Sequence, residues 1–137
     1  MWMSPDSEPT TSEGTSTVTS LMDGRFTQVV MDGEMPGMGP YHGIGIYGYD
    51  NGSKQFISTW LDNMSTGMMN GVGELSEDGK TLNWEFTGNC PVAGKPITMR
   101  EVETTTGPNT KTLEMFGRPP HGGDKYKMMS IEFTKKQ

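Results

Sequence analysis

Short runs rich in Val, Ile, Thr and aromatic residues alternate with turn-forming sequences along almost the whole chain. The runs recur every 11 to 16 residues or so, and no helix-like segment lies between them. Helix formers are scarce, since the chain has one Ala (Ala93) and five Leu among 137 residues. Strands joined only by turns must be antiparallel to their neighbours, so the spacing predicts an all-β, up-and-down sheet.

The turn signals divide the chain into nine predicted strands. These cover residues 15–22, 25–31, 41–49, 54–62, 68–75, 80–87, 97–105, 111–116 and 126–134, with a strand stub at 1–3 as a tenth. Nine or ten strands are close to the limit for one open twisted sheet, and closure removes the exposed edges. We therefore expect a single antiparallel β-barrel over residues 15–137, preceded by the stub and a polar arm over 1–14.

The turn at Glu77-Asp78-Gly79-Lys80 fixes a register for the hairpin around it. In this register two large rings face glycines on the side predicted to be the interior. We expect the core on that side to consist of large side chains rather than ordinary aliphatic ones. The pairs are Leu75 with Leu82, Gly73 with Trp84, and Gly71 with Phe86.

The turn at residues 50–53 predicts a second hairpin, although both faces of this hairpin carry apolar side chains. The expected pairs are Tyr47 with Phe56, Gly45 with Ser58, and Gly43 with Trp60. The opposite face carries Ile44, Ile46, Ile57 and Leu61. We expect this second face to be covered by the N-terminal segment or by a second subunit of a homo-oligomer.

Several strings in the chain resemble, in order and spacing, the bacterial domain-of-unknown-function family numbered 1579. They are Gly33-Glu34-Met35-Pro36-Gly37-Met38-Gly39, Gly48-Tyr49-Asp50, Ser58-Thr59-Trp60-Leu61-Asp62-Asn63-Met64-Ser65-Thr66-Gly67-Met68-Met69, Asp78-Gly79-Lys80-Thr81-Leu82, Met99-Arg100-Glu101-Val102 and Lys127-Met128-Met129. The resemblance spans residues 2 to 134 and implies a calycin-like barrel, similar to lipocalins and fatty-acid-binding proteins. It implies no activity, because the family has none established.

Charge and targeting signals exclude several functions. A formal net charge of −6 and scattered basic residues leave no footprint for nucleic acid. The chain shows no export signal and no apolar stretch approaching the 18 or so residues of a membrane span, so we expect neither membrane association nor export, and a cytoplasmic location. A single cysteine, Cys90, allows no internal disulfide and no multi-cysteine metal site.

The motifs that suggest cofactors or metals have structural explanations. Gly43-Ile44-Gly45-Ile46-Tyr47-Gly48 matches a dinucleotide-binding pattern by letter, but a strand and a turn replace the strand and helix that the motif requires. The strand glycines are better explained as sites that accommodate large rings. Two histidines, His42 and His121, cannot form a three-histidine zinc site, and the many methionines fit packing or pocket lining better than copper. We expect no cofactor and no metal.

The predicted interior gives a candidate site for a small apolar or amphipathic ligand. Its aromatic and thioether lining is Trp60, Trp84, Phe86, Met69, Met115 and Met129. Asp62 and Arg100 are the expected polar anchors, with an external ion pair as the alternative for Arg100. An enzyme that uses Asp62 or Glu101 as a general base, and a structural or oligomerisation module, remain alternative functions.

Overall fold

Nine β-strands make up the fold of this computed structural model, which describes residues 1, 6–89, 94–118 and 123–135. The strands are β1 (Gly14–Leu21), β2 (Phe26–Met35), β3 (Gly39–Asp50), β4 (Gln55–Asp62), β5 (Met69–Leu75), β6 (Thr81–Asn89), β7 (Pro96–Thr105), β8 (Thr110–Gly117) and β9 (Tyr126–Thr134). Each of the nine predicted strands is present, and the described residues contain no helix, hence no helix that could cross a membrane. The predicted stub at 1–3, Cys90 and His121 fall wholly or partly outside the described residues.

The nine strands form one sheet in sequence order, and every neighbouring pair is antiparallel. The predicted all-β, up-and-down class is thus confirmed, with the sheet curled into a half-barrel. In the described part of the chain β1 and β9 each pair with one neighbour only. The accessible surface is 9418 Å², whereas a compact monomer of this mass exposes about 7,100 Å². The excess shows that much of the sheet is uncovered.

The register of the β5–β6 hairpin matches the prediction at every pair named above. The two rings are the buried centre of the molecule, since Trp84 and Phe86 are each 3% exposed. A Cβ atom added at Gly71 would lie 2.6 Å from the Phe86 ring, and one at Gly73 would lie 2.9 Å from the Trp84 ring. Glycine is therefore required at both positions for the rings to lie flat on the neighbouring strand.

The predicted register of the β3–β4 hairpin is wrong by two residues. The pairs are Tyr49 with Phe56, Tyr47 with Ser58, and Gly45 with Trp60. Asp50 remains in the ladder because its side chain accepts a hydrogen bond from the Gly52 amide at 2.9 Å, while Lys54 takes a left-handed φ of 57°. The loop is therefore 51–54 instead of 50–53. Because side chains alternate between the two faces along a strand, a register shift of two residues leaves every side chain on its predicted face.

The dinucleotide-like motif lies within β3, as the sequence indicates, with no helix after it among the described residues. Trp60 on β4 covers Gly43 and Gly45, where an added Cβ would collide with the indole ring. Gly48 contacts Phe26 instead. The strand glycines thus serve ring packing, which confirms the structural explanation of this motif.

Candidate ligand-binding groove

The concave face of the half-barrel contains a groove of about 420 Å³. Directly paired residues of antiparallel strands project to the same side, so the ladder defines which side chains share this face. Every strand except β5 contributes a lining residue, including Val18 on β1 and Phe133 on β9. The groove therefore lies between the two halves of the curled sheet, where side chains of distant strands converge.

Aromatic rings form one wall of the groove. Tyr47 meets Trp84 edge to face, with ring centroids 5.6 Å apart, although β3 and β6 are not neighbours in the sheet. Tyr49 and Phe56 form a second edge-to-face pair at 4.9 Å. Trp84 also packs on Phe86 at 5.5 Å. These contacts hold the rings in fixed orientations around the groove.

Glu101 brings a carboxyl group to the same wall. It is directly opposite Trp84 in the β6–β7 ladder, and it lines the groove. Burial, and secondarily the nearby charge of Glu103, raise the pKa of Glu101 to about 7. No hydrogen bond reaches this carboxyl group from any residue of the described chain. Glu101 is thus a partly buried acid whose protonation changes near neutral pH.

The other charged groups of the groove already have contacts. Lys111 donates to Glu103 at 2.9 Å, and its ammonium group lies 5.3 Å from the centre of the Phe133 ring. Arg25 is exposed in the β1–β2 turn and donates to the Met22 carbonyl at 3.3 Å. Glu101 therefore contributes the one carboxyl group of the groove without a bonded partner in the described part of the chain.

A second aromatic and carboxylate cluster lies on the same face, at the end of β4. The Tyr41 hydroxyl donates to Asp62 Oδ2 at 3.1 Å, and the Trp60 indole nitrogen donates to the Tyr41 oxygen at 3.1 Å and to Asp62 Oδ2 at 3.3 Å. The other Asp62 oxygen accepts from the Met64 amide at 3.0 Å. Burial, and then the charge of Asp62, raise the pKa of Tyr41. We call these residues the Asp62 cluster.

The ladder distributes the predicted site residues over the two faces of the sheet. Seven of the eight share the concave face: Trp60, Asp62, Met69, Trp84, Phe86, Met115 and Met129. Of these, Trp84 lines the groove itself. Arg100 lies on the convex face, opposite Glu85, with its guanidinium group 5.8 Å from the centre of the Phe116 ring. The two expected polar anchors, Asp62 and Arg100, are therefore not brought together.

Tyr47, Tyr49 and Phe56 line the groove but were not among the predicted ligand contacts. Alternation alone assigns all three to the face of Trp60. The sequence does not show how strongly the sheet curls, and the curl determines how close the ends of distant strands come to one another. Glu101 appeared only as a general-base alternative, although its place opposite Trp84 follows from the same alternation.

The described residues contain no group of three His, Cys, Asp or Glu side chains able to hold a metal ion. His42 Nδ1 contacts Asp32 Oδ1 at 2.5 Å on the convex face, which is an exposed pair. The chemistry available at the groove is thus aromatic contact, one carboxyl group without a hydrogen-bond partner in the described chain, the Lys111–Glu103 ion pair and apolar surface.

Comparison with known proteins identifies the family to which the predicted resemblance pointed. The model of the family described as protein of unknown function (DUF1579) matches residues 1–135. The chain belongs to the DUF1579 family. No curated protein and no solved structure was found to be similar to it. The predicted family is thus confirmed. The function of the groove is inferred from its own geometry.

Proposed function

We propose that this DUF1579 protein binds a small apolar or amphipathic molecule in the concave groove. The observation that carries the proposal is the convergence of Tyr47, Trp84 and Glu101 around a space of about 420 Å³. Ligand pockets are typically concave and apolar, with a few polar groups that orient the ligand. The lipocalin-like character implied by the family resemblance agrees with such a role.

Native mass spectrometry of the purified protein tests this proposal, because it reports retained ligands and the number of subunits together. We expect a retained small molecule that organic extraction releases. A ligand-free homo-oligomer would favour a structural module instead. A ligand-free monomer that also binds no amphipathic probe would contradict the proposal.

A pair of tryptophan substitutions locates the binding site. Val18 is 62% exposed and lines the groove from the edge strand β1, so Val18→Trp fills the groove without removing a buried contact. Thr17 is its exposed neighbour and points to the opposite face. We expect Val18→Trp to reduce ligand retention and Thr17→Trp to leave it unchanged. Equal effects of the two substitutions would exclude the concave groove.

A second candidate function is proton transfer by Glu101 in an enzyme. A general base works best with a pKa close to the working pH, and burial raises the pKa of Glu101 to about 7. The reaction would need a substrate that presents an acidic proton to this carboxyl group. Turnover of a bound ligand that stops in Glu101→Gln while binding persists would favour this function over simple binding.

A further inference from the structure

We propose that the groove selects molecules with a cationic head group, such as an alkylammonium ion, which pairs with Glu101 beside the contact between Tyr47 and Trp84. This inference rests on the proposed ligand-binding function and deepens it. It concerns the charge of the ligand, which neither the family nor the fold assigns.

The geometry around Glu101 has the components of a site for an organic cation. Trp84 is opposite Glu101 on the adjacent strand, and Tyr47 contacts Trp84 from the other side of the groove. The faces of aromatic rings attract cations, and Tyr47, which is half-buried and lines the groove, offers such a ring, whereas Trp84 is only 3% exposed. A neighbouring carboxylate adds a full charge of the opposite sign. The protein itself holds a cation over a ring at the same groove, where Lys111 lies above Phe133.

A buried hydroxyl group lies next to Tyr47. Ser58 is 6% exposed, and its hydroxyl oxygen makes no hydrogen bond of good geometry in the described chain, although it lies close enough to the Tyr47 phenol to lower the pKa of that group. Ser58 is paired with Tyr47 in the β3–β4 ladder and projects to the concave face. Ser58 is not among the residues that line the groove, so Glu101 and the lining rings, rather than this hydroxyl group, would contact the head group.

The charges around Glu101 favour a cation over an anion. Glu103 projects from the same strand, and its charge is balanced by Lys111 on β8. Tyr41 and Tyr47, on β3, are neutral at about pH 8, and burial raises the pKa of both phenols further above their usual value. Across the groove, β6 and β9 contribute no charged side chain to the lining. Two further charged groups on this side are Asp62, which is bonded within its cluster, and Arg25, in the exposed turn.

Lys111 is paired with Glu103, and Arg25 is the cation of the groove lining that has no ion pair among the described residues, but its exposed position weakens its attraction for an anionic ligand. Exposed charges are screened by water and salt, whereas partly buried charges interact more strongly. The partly buried Glu101 should therefore dominate the selectivity. The apolar part of the ligand would extend along Val29, Leu113 and Phe133, which line the groove beside the charged wall.

Three eight-carbon probes with one chain and different head groups test the charge preference: octylammonium, octanol and octanoate. Dissociation constants are measured by titration calorimetry on the full chain at about pH 8, where Glu101 is ionised. We expect octylammonium to bind about tenfold more tightly than octanol. Octanoate should bind more weakly than either.

Two substitutions with the same loss of charge assign the preference to the groove. Glu101→Gln should abolish the difference between octylammonium and octanol while octanol binding persists. Glu85→Gln is the matched control, because Glu85 is exposed on the convex face, opposite Arg100. It should preserve the difference. A preference unchanged in Glu101→Gln would overturn the proposal.

The pH dependence of the wild-type protein is a readout that needs no variant. Octylammonium should bind more tightly as the pH rises from about 5.5 to 8, since the cation requires ionised Glu101. Octanol should show little change. If octanoate binds best, or if all three probes bind equally, the cation preference is wrong but the groove still binds ligands. If none of the three binds, the proposed function fails as well.

Discussion

Two aromatic and carboxylate clusters share the concave face, and they differ in how the carboxyl group is satisfied. Asp62 accepts hydrogen bonds from a phenol, an indole and a backbone amide. Glu101 faces an indole and a phenol as well, but it receives no hydrogen bond from the described residues, and its pKa is raised to about 7. Similar residue types thus form a cluster in which the Asp62 carboxylate is hydrogen-bonded, and a second one in which the Glu101 carboxyl group has no hydrogen-bond partner among the described residues. We call the first cluster closed and the second open.

The difference separates a structural role from a binding role. The Asp62 cluster ties the start of β3 to the end of β4, and Asn63 adds a hydrogen bond from its side chain to the Pro40 carbonyl at 3.0 Å. Its donors and acceptors are used within the protein. Burying an unbonded carboxyl group destabilises a fold, and such groups concentrate at functional sites. The comparison therefore favours Glu101 as the place where a ligand binds and supplies the partner that this carboxyl group lacks within the described chain.

The largest expected effect concerns the pH dependence of stability. The pKa of Glu101 is about 7 in the folded state, against a usual value of 4.5. The folded protein therefore binds more protons than the unfolded chain between these values, and its stability falls as the pH rises through this range. The full penalty above pH 7 is about 3 kcal/mol. Urea denaturation across this range measures it.

Glu101→Gln removes the titrating group and should flatten this dependence. The variant should be more stable than the wild type at about pH 8, by up to about 3 kcal/mol, and similar to it at about pH 4. Glu85→Gln, on the exposed convex face, should retain the wild-type dependence. A wild-type stability that increases between these pH values would show that Glu101 is not the open carboxyl group we describe.

Asp62→Ala tests the Asp62 cluster and should destabilise the protein by about 2 kcal/mol, because the Tyr41 hydroxyl and the Met64 amide lose their acceptor and the Trp60 indole loses one of its two. Asp62→Asn keeps one carbonyl oxygen at the same place, so about half of this loss should be recovered. Denaturant midpoints at a fixed pH measure both changes. Unchanged stability in Asp62→Ala would mean that the cluster does not hold β3 to β4.

Removing one phenolic hydroxyl from each cluster gives a smaller contrast. Tyr41→Phe deletes a group that both donates to Asp62 and accepts from Trp60, and it should cost about 1 kcal/mol or slightly more. Tyr47→Phe keeps the ring contact with Trp84 and should change stability by less than about 0.5 kcal/mol. Parallel thermal and urea unfolding of the two variants provides the comparison. Equal losses of stability in the two variants would contradict the proposed difference between the two clusters.

The strand pattern was predictable because it depends on local signals. Alternation and turn chemistry gave nine strands and the register of the β5–β6 hairpin, where Gly79 at a φ of 74° marks the turn. The predicted β3–β4 register is wrong because two positions of the turn were compatible with the sequence, and the observed one is stabilised by a hydrogen bond from the Gly52 amide to the Asp50 side chain. Turn geometry of this kind is weakly encoded in residue types.

The candidate site was less predictable because it depends on the curl of the sheet. Alternation assigned Trp60, Trp84 and Phe86 to one face, which the ladder bears out, but it gave no distance between β3 and β6. The contact of Tyr47 with Trp84 is a long-range consequence of twist accumulated over several strands. Arg100 illustrates the limit, since the sequence left both faces open for it and the register places it on the convex one.

Two small changes compare the two faces of a single strand. Ser58 faces the concave side with a buried hydroxyl group that makes no hydrogen bond of good geometry among the described residues, while Thr59 donates to Asn70 Oδ1 at 2.9 Å on the convex side. Ser58→Ala should therefore stabilise the ligand-free protein by up to about 1 kcal/mol, whereas Thr59→Ala should destabilise it by about 0.5 kcal/mol. Thermal unfolding of both variants, with and without octylammonium, measures the changes. If Ser58→Ala is destabilising only when the probe is present, the Ser58 hydroxyl group forms a hydrogen bond with the ligand. Destabilisation without any probe would mean that this hydroxyl group already has a hydrogen-bond partner within the protein. Glu101 would then be the one group at this wall without a hydrogen-bond partner in the described chain.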